Sequence, residues 1–436
     1  MSDKGIVLEG PLKISDEELD ALQATTLRYY IHEFNRSTGL MRDKTQPDAP
    51  SSIAAVGMAL ATTPLIAERG IRTRAFMAER VLTALRFFAG SRQGTEPDAT
   101  GYKGFYYHFL DMETGRRVWN CELSTIDSTF LFAGMLVAQT YFDRDDVVEV
   151  EIRRLARELY ERADWNWARN GGASVTHGWR PETGFIPYRW TGYDEALLLY
   201  VLGLGSPSFP LPEESYAAYT ATYHWKRVYD HEYLYSGPLF THQLSHIWID
   251  FRGIQDQFMR DHGSNYFDNS RSATYVQQAY AMHNPMQFEG YGEWCWGLTA
   301  SDGPGWTNIR IGGVERAFFD YLARGAPFGP DDGTIAPWSV VASLPFAPEI
   351  VLPTIRHFEH LELAEHESYG FKATFNHTFP VEESRFWVSP YYFGIDQGPI
   401  ALMIENYRTE MVWDLMRRCE PIRSGLRRAG FRGGWL

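Results

Sequence analysis

The sequence predicts an all-α fold, an (α/α)6 barrel or toroid, with long loops and a short β-hairpin at the cleft end. Three observations lead there. Apolar helical stretches alternate with amphipathic ones, about six of each at roughly 60 to 75 residues per pair. Strand-like alternation is sparse. No Ser/Gly linker or charge block divides the 436 residues, so a single domain over 1–436 is expected, with its core at about 16–420.

The elements follow in order. "SSIAAVGMALATTPLIAERG" from Ser51 is apolar on nearly every face and must be buried all round. "RTRAFMAERVLTALRFF" (72–88) has one apolar stripe and one charged face, so it belongs outside. Gly101 to Val118 alternates like a strand and turns at "METG", which predicts the hairpin. "STIDSTFLFAGMLVAQTYF" from Ser124 is the second inner helix, and 146–163 is its amphipathic partner. "YDEALLLYVLGLG" from Tyr193 is the third. Between about Pro238 and Ala281, "GPLFTHQLSHIWIDF" and "NSRSATYVQQAYAMH" compete for the fourth inner place. "DGTIAPWSVVASLPFA" from Asp332 and "GIDQGPIALMIENY" from Gly394 complete the set.

Composition narrows the function. The chain is 44% hydrophobic and 22% charged, as a globular protein is. A net charge of −14 argues against nucleic acid and against anionic membrane surfaces. Aromatics reach 15%, with 14 Trp, and flat aromatic faces suit sugars. Cys121, Cys295 and Cys419 are too few and too scattered for a disulfide framework or a CxxC metal site. No basic-then-apolar leader is visible at the N-terminus, so a cytoplasmic location is expected for the sequence as written. A trimmed signal would place the protein in the periplasm or outside. No feature specifies an oligomeric state.

Loops leading into the inner helices of such a barrel gather at one end. Polar groups recur there: Glu122, Ser124 and Asp127; Asp194 and Glu195; Asp331 and Asp332; Asp396 and Gln397. Each alone suits a helix cap. Together they describe a cleft lined with acids.

The blocks "ELSTIDSTFLFAG", "YDEALLLYVLGLGSP", "WGLTASDGP", "DGTIAPWSVVASLPFAPE" and "YFGIDQGPIALMIENYR" resemble the glucoamylase-like domain of glycoside hydrolase family 144. That family contains endo-β-1,2-glucanases and related β-1,2-glucan-processing enzymes. The resemblance runs from about residue 20 to 420 and keeps the block order. It implies the (α/α)6 barrel, inverting hydrolysis without a metal or other cofactor, and a β-glucan or glucooligosaccharide as partner. Endo action is the first implication, and exo release of disaccharide is the alternative.

Inverting hydrolysis needs a protonated carboxyl and an ionised carboxylate, typically about 6.5–9.5 Å apart. The resemblance supports Glu195 as the acid. Trp190 and Tyr193 would raise its pKa by excluding water, against a helix dipole that favours the charged form. Asp194 is expected to cap the helix beside the substrate. Asp396 is the expected base, with Glu122 and Asp127 as rivals. Asp127 sits inside an apolar run, so proton transfer, sugar binding and a buried polar network stay open for it. Trp294, Trp296 and Trp306 offer either stacking faces or core. Tyr392, Phe393, Gln397 and Arg189 complete the expected binding set. His242 and His246 have i, i+4 spacing but lack a third ligand, so no metal site is expected.

Overall fold

The computed structural model describes residues 13–382 and 384–436. Five apolar stretches fold as Ile53–Glu68, Thr125–Tyr141, Leu197–Gly205, Pro337–Ala342 and Gly394–Arg408. Nearly every residue in them is buried, as helices without a polar face require. Serines start the first two. Ser52 Oγ accepts from the Ala55 N–H at 3.5 Å and Ser124 Oγ from the Asp127 N–H at 3.1 Å, satisfying donors that a first helical turn leaves free.

These helices touch in series. Thr125–Tyr141 packs on Ile53–Glu68 and Leu197–Gly205, and Gly394–Arg408 packs on Ile53–Glu68 and Pro337–Ala342. The first contact brings backbone against backbone. A Cβ on Gly134 would lie 2.1 Å from the Gly57 carbonyl oxygen, so only glycine fits. Residues 239–247 bridge the gap between Leu197–Gly205 and Pro337–Ala342. Ser245 Oγ accepts from the Leu198 N–H at 3.1 Å, while Gln243 Nε2 donates to Ser339 O at 2.5 Å and Ser343 Oγ at 2.7 Å. Of the two competing stretches, "GPLFTHQLSHIWIDF" takes this place, as two short 3-10 turns, Leu239–His242 and Leu244–Ile247. Gln243 leaves the helical region at φ −123°, and side-chain bonds to neighbouring helices replace the missing intrahelical ones. Its competitor forms the helix Tyr266–His283, which packs against His231–Leu234 and the first 3-10 turn.

Amphipathic helices form a second layer. Val147–Glu161 lies on Thr125–Tyr141 and Arg74–Gly90, Pro348–His360 on Pro337–Ala342, and Asp16–His32 on Gly394–Arg408. Packing continues past residue 420, where the sequence reading ends the core. Glu420–Arg428 lies against Leu197–Gly205 and buries Ile422 and Leu426. Most buried apolar side chains from Ile14 to Phe431 form one continuous cluster, with Val228, Tyr233, Ala273 and Val276 in a small second one.

Strands are more numerous than expected. Gly101–Tyr102, Phe105–Tyr107, Leu123–Ser124, Gly178–Arg180 and Gly184–Phe185 form an antiparallel sheet in that order. Strands of two or three residues leave no readable alternation. Of the predicted hairpin, Gly101–Tyr102 and Phe105–Tyr107 join this sheet, whereas its "METG" turn lies outside it, bridged by Leu110 and Arg117 and closed through the Gly115 N–H and the Asp111 carbonyl at 2.9 Å. The register Tyr107↔Leu123 sets His108 beside Glu122, next to the helix start at Thr125. No helix among the described residues is long and apolar enough to cross a membrane. Cys121, Cys295 and Cys419 are buried thiols.

Candidate active site

The loops entering the inner helices meet over a cavity of about 650 Å³. Asp43 precedes Ile53–Glu68, Glu122 and Asp127 flank the start of Thr125–Tyr141, Glu195 precedes Leu197–Gly205, and Asp396 lies in the first turn of Gly394–Arg408. All five line the cavity. Asp331 and Asp332, grouped with them by the sequence, do not. Asp332 is wholly buried against Arg324 Nε at 2.7 Å, and Asp331 accepts from the hydroxyls of Tyr280 and Tyr291 at 2.9 and 2.7 Å. Those bonds shape their loop.

Glu195 is fixed through its backbone. Tyr219 Oη accepts from the Asp194 N–H at 3.4 Å and donates to the Asp194 carbonyl at 3.1 Å. Ser245 Oγ donates to the Glu195 carbonyl at 3.2 Å. Burial raises the pKa of the Glu195 carboxyl, and the charges of Asp194 and Asp127 push it further. The helix dipole opposes this only weakly, because Glu195 stands outside the first turn of Leu197–Gly205. Burial wins. Asp194 Oδ1 accepts from the Ala196 N–H at 2.9 Å, closing the turn into the helix, and does not line the cavity. Tyr193 packs behind it against Tyr223, His242 and Tyr266, away from the Glu195 carboxyl's open side.

His108 was not singled out from the sequence. Its Nδ1 lies 2.9 Å from Glu122 Oε1 and its Nε2 3.6 Å from Asp127 Oδ1. Burial opposes a charge on this ring, but Asp127, Glu122 and Asp43 outweigh it and raise the pKa to about 9. Burial also opposes a charge on Glu122, and the His108 hydrogen bond overcomes that, drawing it down to about 2. Asp127 accepts in addition from Ser124 Oγ at 2.5 Å. Both rival bases thus lie against His108. Ligand atoms of His108, Glu122 and Asp127 lie within 4.8 Å of one another, a spacing that suits a cation. A cation bound there would have to displace the proton that Glu122 and Asp127 stabilise on His108.

Asp43 was also missed. Burial raises it to about 6, with His108 and Lys44 restraining the rise and Asp127 adding to it. Asp396 is held well above the usual carboxylate range by burial and by the charges of Asp43 and Asp302. The two loops are tied together, since the Gly394 N–H donates to the Asp43 carbonyl at 2.7 Å and Lys44 bridges Phe393. Of the two carboxyls, Asp396 is shifted further towards its protonated form. The rule that found the other acids would have found Asp43 in "MRDKTQPDAPSS", before the first inner helix. His108 left no such mark, because only strand register brings it to Glu122.

Residues 187–420 match the Glycoamylase family model, described as "Putative glucoamylase". The chain belongs to the Glycoamylase family. It is 31% identical to a "putative glucoamylase" of Bacteroides uniformis, with a TM-score of 0.86 over 97% of this chain and 99% of that one. An exo-β-1,2-glucooligosaccharide sophorohydrolase (non-reducing end) of Parabacteroides distasonis is 28% identical over 454 residues, covering 95% of this chain. The chain spans 58% of that relative's length. The endo-β-1,2-glucanase of Chitinophaga pinensis, solved with sophorotriose and glucose, shares the fold. Its TM-score is 0.84 at 24% identity, covering 97% of this chain and 100% of that one.

Of the sugar-binding side chains expected in this Glycoamylase-family chain, Trp190 and Phe393 line the cavity. Trp190 stacks on His177 with centroids 3.9 Å apart and donates to Thr125 Oγ1 at 3.0 Å. The others lie elsewhere. Arg189 donates to the carbonyls of Arg169 and Ser174, Gln397 to that of Phe371, Trp296 to Thr354 Oγ1, and Tyr392 to Glu365. These bonds satisfy buried polar atoms of the framework. Trp294 is half-buried outside the lining, and Trp306 is exposed at the foot of the hairpin formed by Thr307–Ile311 and Val314–Phe318. His242 and His246 are buried and bonded to Ser236 O and Ser270 Oγ. Trp119, Tyr321 and Trp338 line the cavity without having been singled out.

Proposed function

We propose that this protein hydrolyses β-1,2-glucan with inversion, as a member of glycoside hydrolase family 144 built on an (α/α)6 barrel in one domain. The carrying observation is how the cavity divides its carboxyl groups. Burial and the charge of Asp194 raise Glu195 towards its protonated form, while Asp43 and Asp396 enter the cavity from two loops joined through the Gly394 N–H. Glu195 gives its proton to the leaving glycosidic oxygen. Asp396 in its ionised form, beside Asp43, takes a proton from a water that attacks the opposite face of the sugar. His108, Glu122 and Asp127 set the field between the two. Trp190 and Phe393 supply faces for the pyranose ring. The serial packing of Ile53–Glu68, Thr125–Tyr141, Leu197–Gly205, 239–247, Pro337–Ala342 and Gly394–Arg408 supports the barrel.

The β-1,2 linkage is carried over from the sophorohydrolase and the endo-glucanase. Endo cleavage is the first reading, and exo release of disaccharide is favoured by the 28% identity to the sophorohydrolase. Incubation with linear β-1,2-glucan beside β-1,3- and β-1,4-glucans decides between them. Endo action yields mixed oligosaccharides at once, and exo action a single disaccharide from the start. Failure to release new reducing ends from β-1,2-glucan sinks the reading, and retained configuration in the first product, followed by NMR, removes inversion.

A further inference from the structure

Trp119 lines the cavity although it is 65% exposed. An indole left largely in water at the mouth of a site needs a reason, because most of its apolar area contributes nothing to folding. The backbone beneath it sharpens the question. Trp119 and Asn120 both have positive φ, at 56° and 49°, and the Cys121 N–H donates to the Val118 carbonyl at 3.1 Å. This is a β-turn with both central residues in the left-handed region, which favours Asn and Gly there. Tryptophan in the left-handed region is strained.

Neighbouring bonds hold the turn in place. The Val118 N–H donates to the Phe109 carbonyl at 3.2 Å and the His108 N–H to the Glu122 carbonyl at 3.0 Å. Phe109 stacks on His108 with centroids 3.9 Å apart, and its ring lies 5.1 Å from the indole. Trp119 is thus a rigid, exposed face, two aromatic rings from the His108–Glu122 pair. One indole is far too small to dock a protein, whose stable interfaces bury on the order of 1,000 Å² or more. It matches the apolar face of one pyranose ring.

We infer that Trp119 is a stacking platform, forming an outer subsite for one sugar unit of the glucan chain beyond those at the cleaved bond. The inference rests on the glucan reading above. The test compares wild type with Trp119→Ala, Trp119→Phe and Trp119→Gly on β-1,2-glucooligosaccharides from sophorotriose upward, recording kcat/KM against chain length. The preference for long over short chains should fall roughly tenfold in the Ala and Gly variants and be largely kept in Phe. The Gly variant, freed of left-handed strain, should melt no lower than wild type. Equal losses at every chain length, or no loss at any, overturn the platform while leaving the glucan reading standing. A wild-type protein inactive on every β-1,2-glucan overturns both.

Discussion

Replacing Asp43 with Asn should stabilise the protein at neutral pH and shift the acid limb of its activity. An aspartate that titrates at 3.8 when solvated titrates at about 6 in this cavity. Between these values the folded state keeps a proton that the unfolded state has released, so stability falls as pH rises through the window. The loss is complete above about 6 and amounts to about 3 kcal/mol. It is already net of the attraction from His108 and Lys44. Asparagine has no charge to bury and none to repel Asp127. Asp43→Asn should therefore be more stable by up to ~3 kcal/mol above about pH 7, with the difference vanishing below about pH 4, where both side chains are neutral. Urea unfolding of both proteins at the two pH values, with slopes compared, measures this directly. The charge that helps to raise Asp396 is lost with Asp43, so Asp396 should ionise at lower pH and the acid limb of the activity profile should move down. A stability difference that does not grow between the acidic and neutral conditions refutes the reasoning.

Three further outcomes can be checked. Glu195→Gln should lower kcat roughly 10²- to 10⁴-fold. In the wild type, activity should rise through about pH 6 as the Asp43–Asp396 pair gains its first charge, then fall above neutral as Glu195 loses its proton; a profile lacking either limb contradicts the assignment. Tyr219→Phe removes both bonds to the Asp194 backbone and should cut kcat by roughly tenfold at little changed KM, moving the alkaline limb. An unmoved pH profile would leave Tyr219 a purely structural residue. Gly134→Ala drives a Cβ into the Gly57 carbonyl and should cost about 1–3 kcal/mol, read as a lower melting temperature; unchanged melting would mean that the two helices part easily.

The helices were legible because their cause is local. A run such as Leu197–Gly205, without a polar face, has only one stable place, and a striped run such as Val147–Glu161 has another. Where polar side chains held the backbone, as at Gln243 and Ser245, local pattern misled and a 3-10 segment took the place of a helix. The two-residue strands were illegible for the opposite reason: they are too short to carry a period. At the site, chain position brought Glu195, Asp396, Glu122 and Asp127 forward, since loops entering inner helices share one end, and the family resemblance gave Glu195 its role. Most expected binding residues went elsewhere, because an Arg, Gln or Trp beside a cavity is as readily claimed by a backbone carbonyl as by a ligand. The sequence by itself determined which helices are buried and which loops carry acids. Only the tertiary structure decided which acids stay protonated, because a pKa is set by burial and by charges from other loops, and those neighbours are distant in the chain.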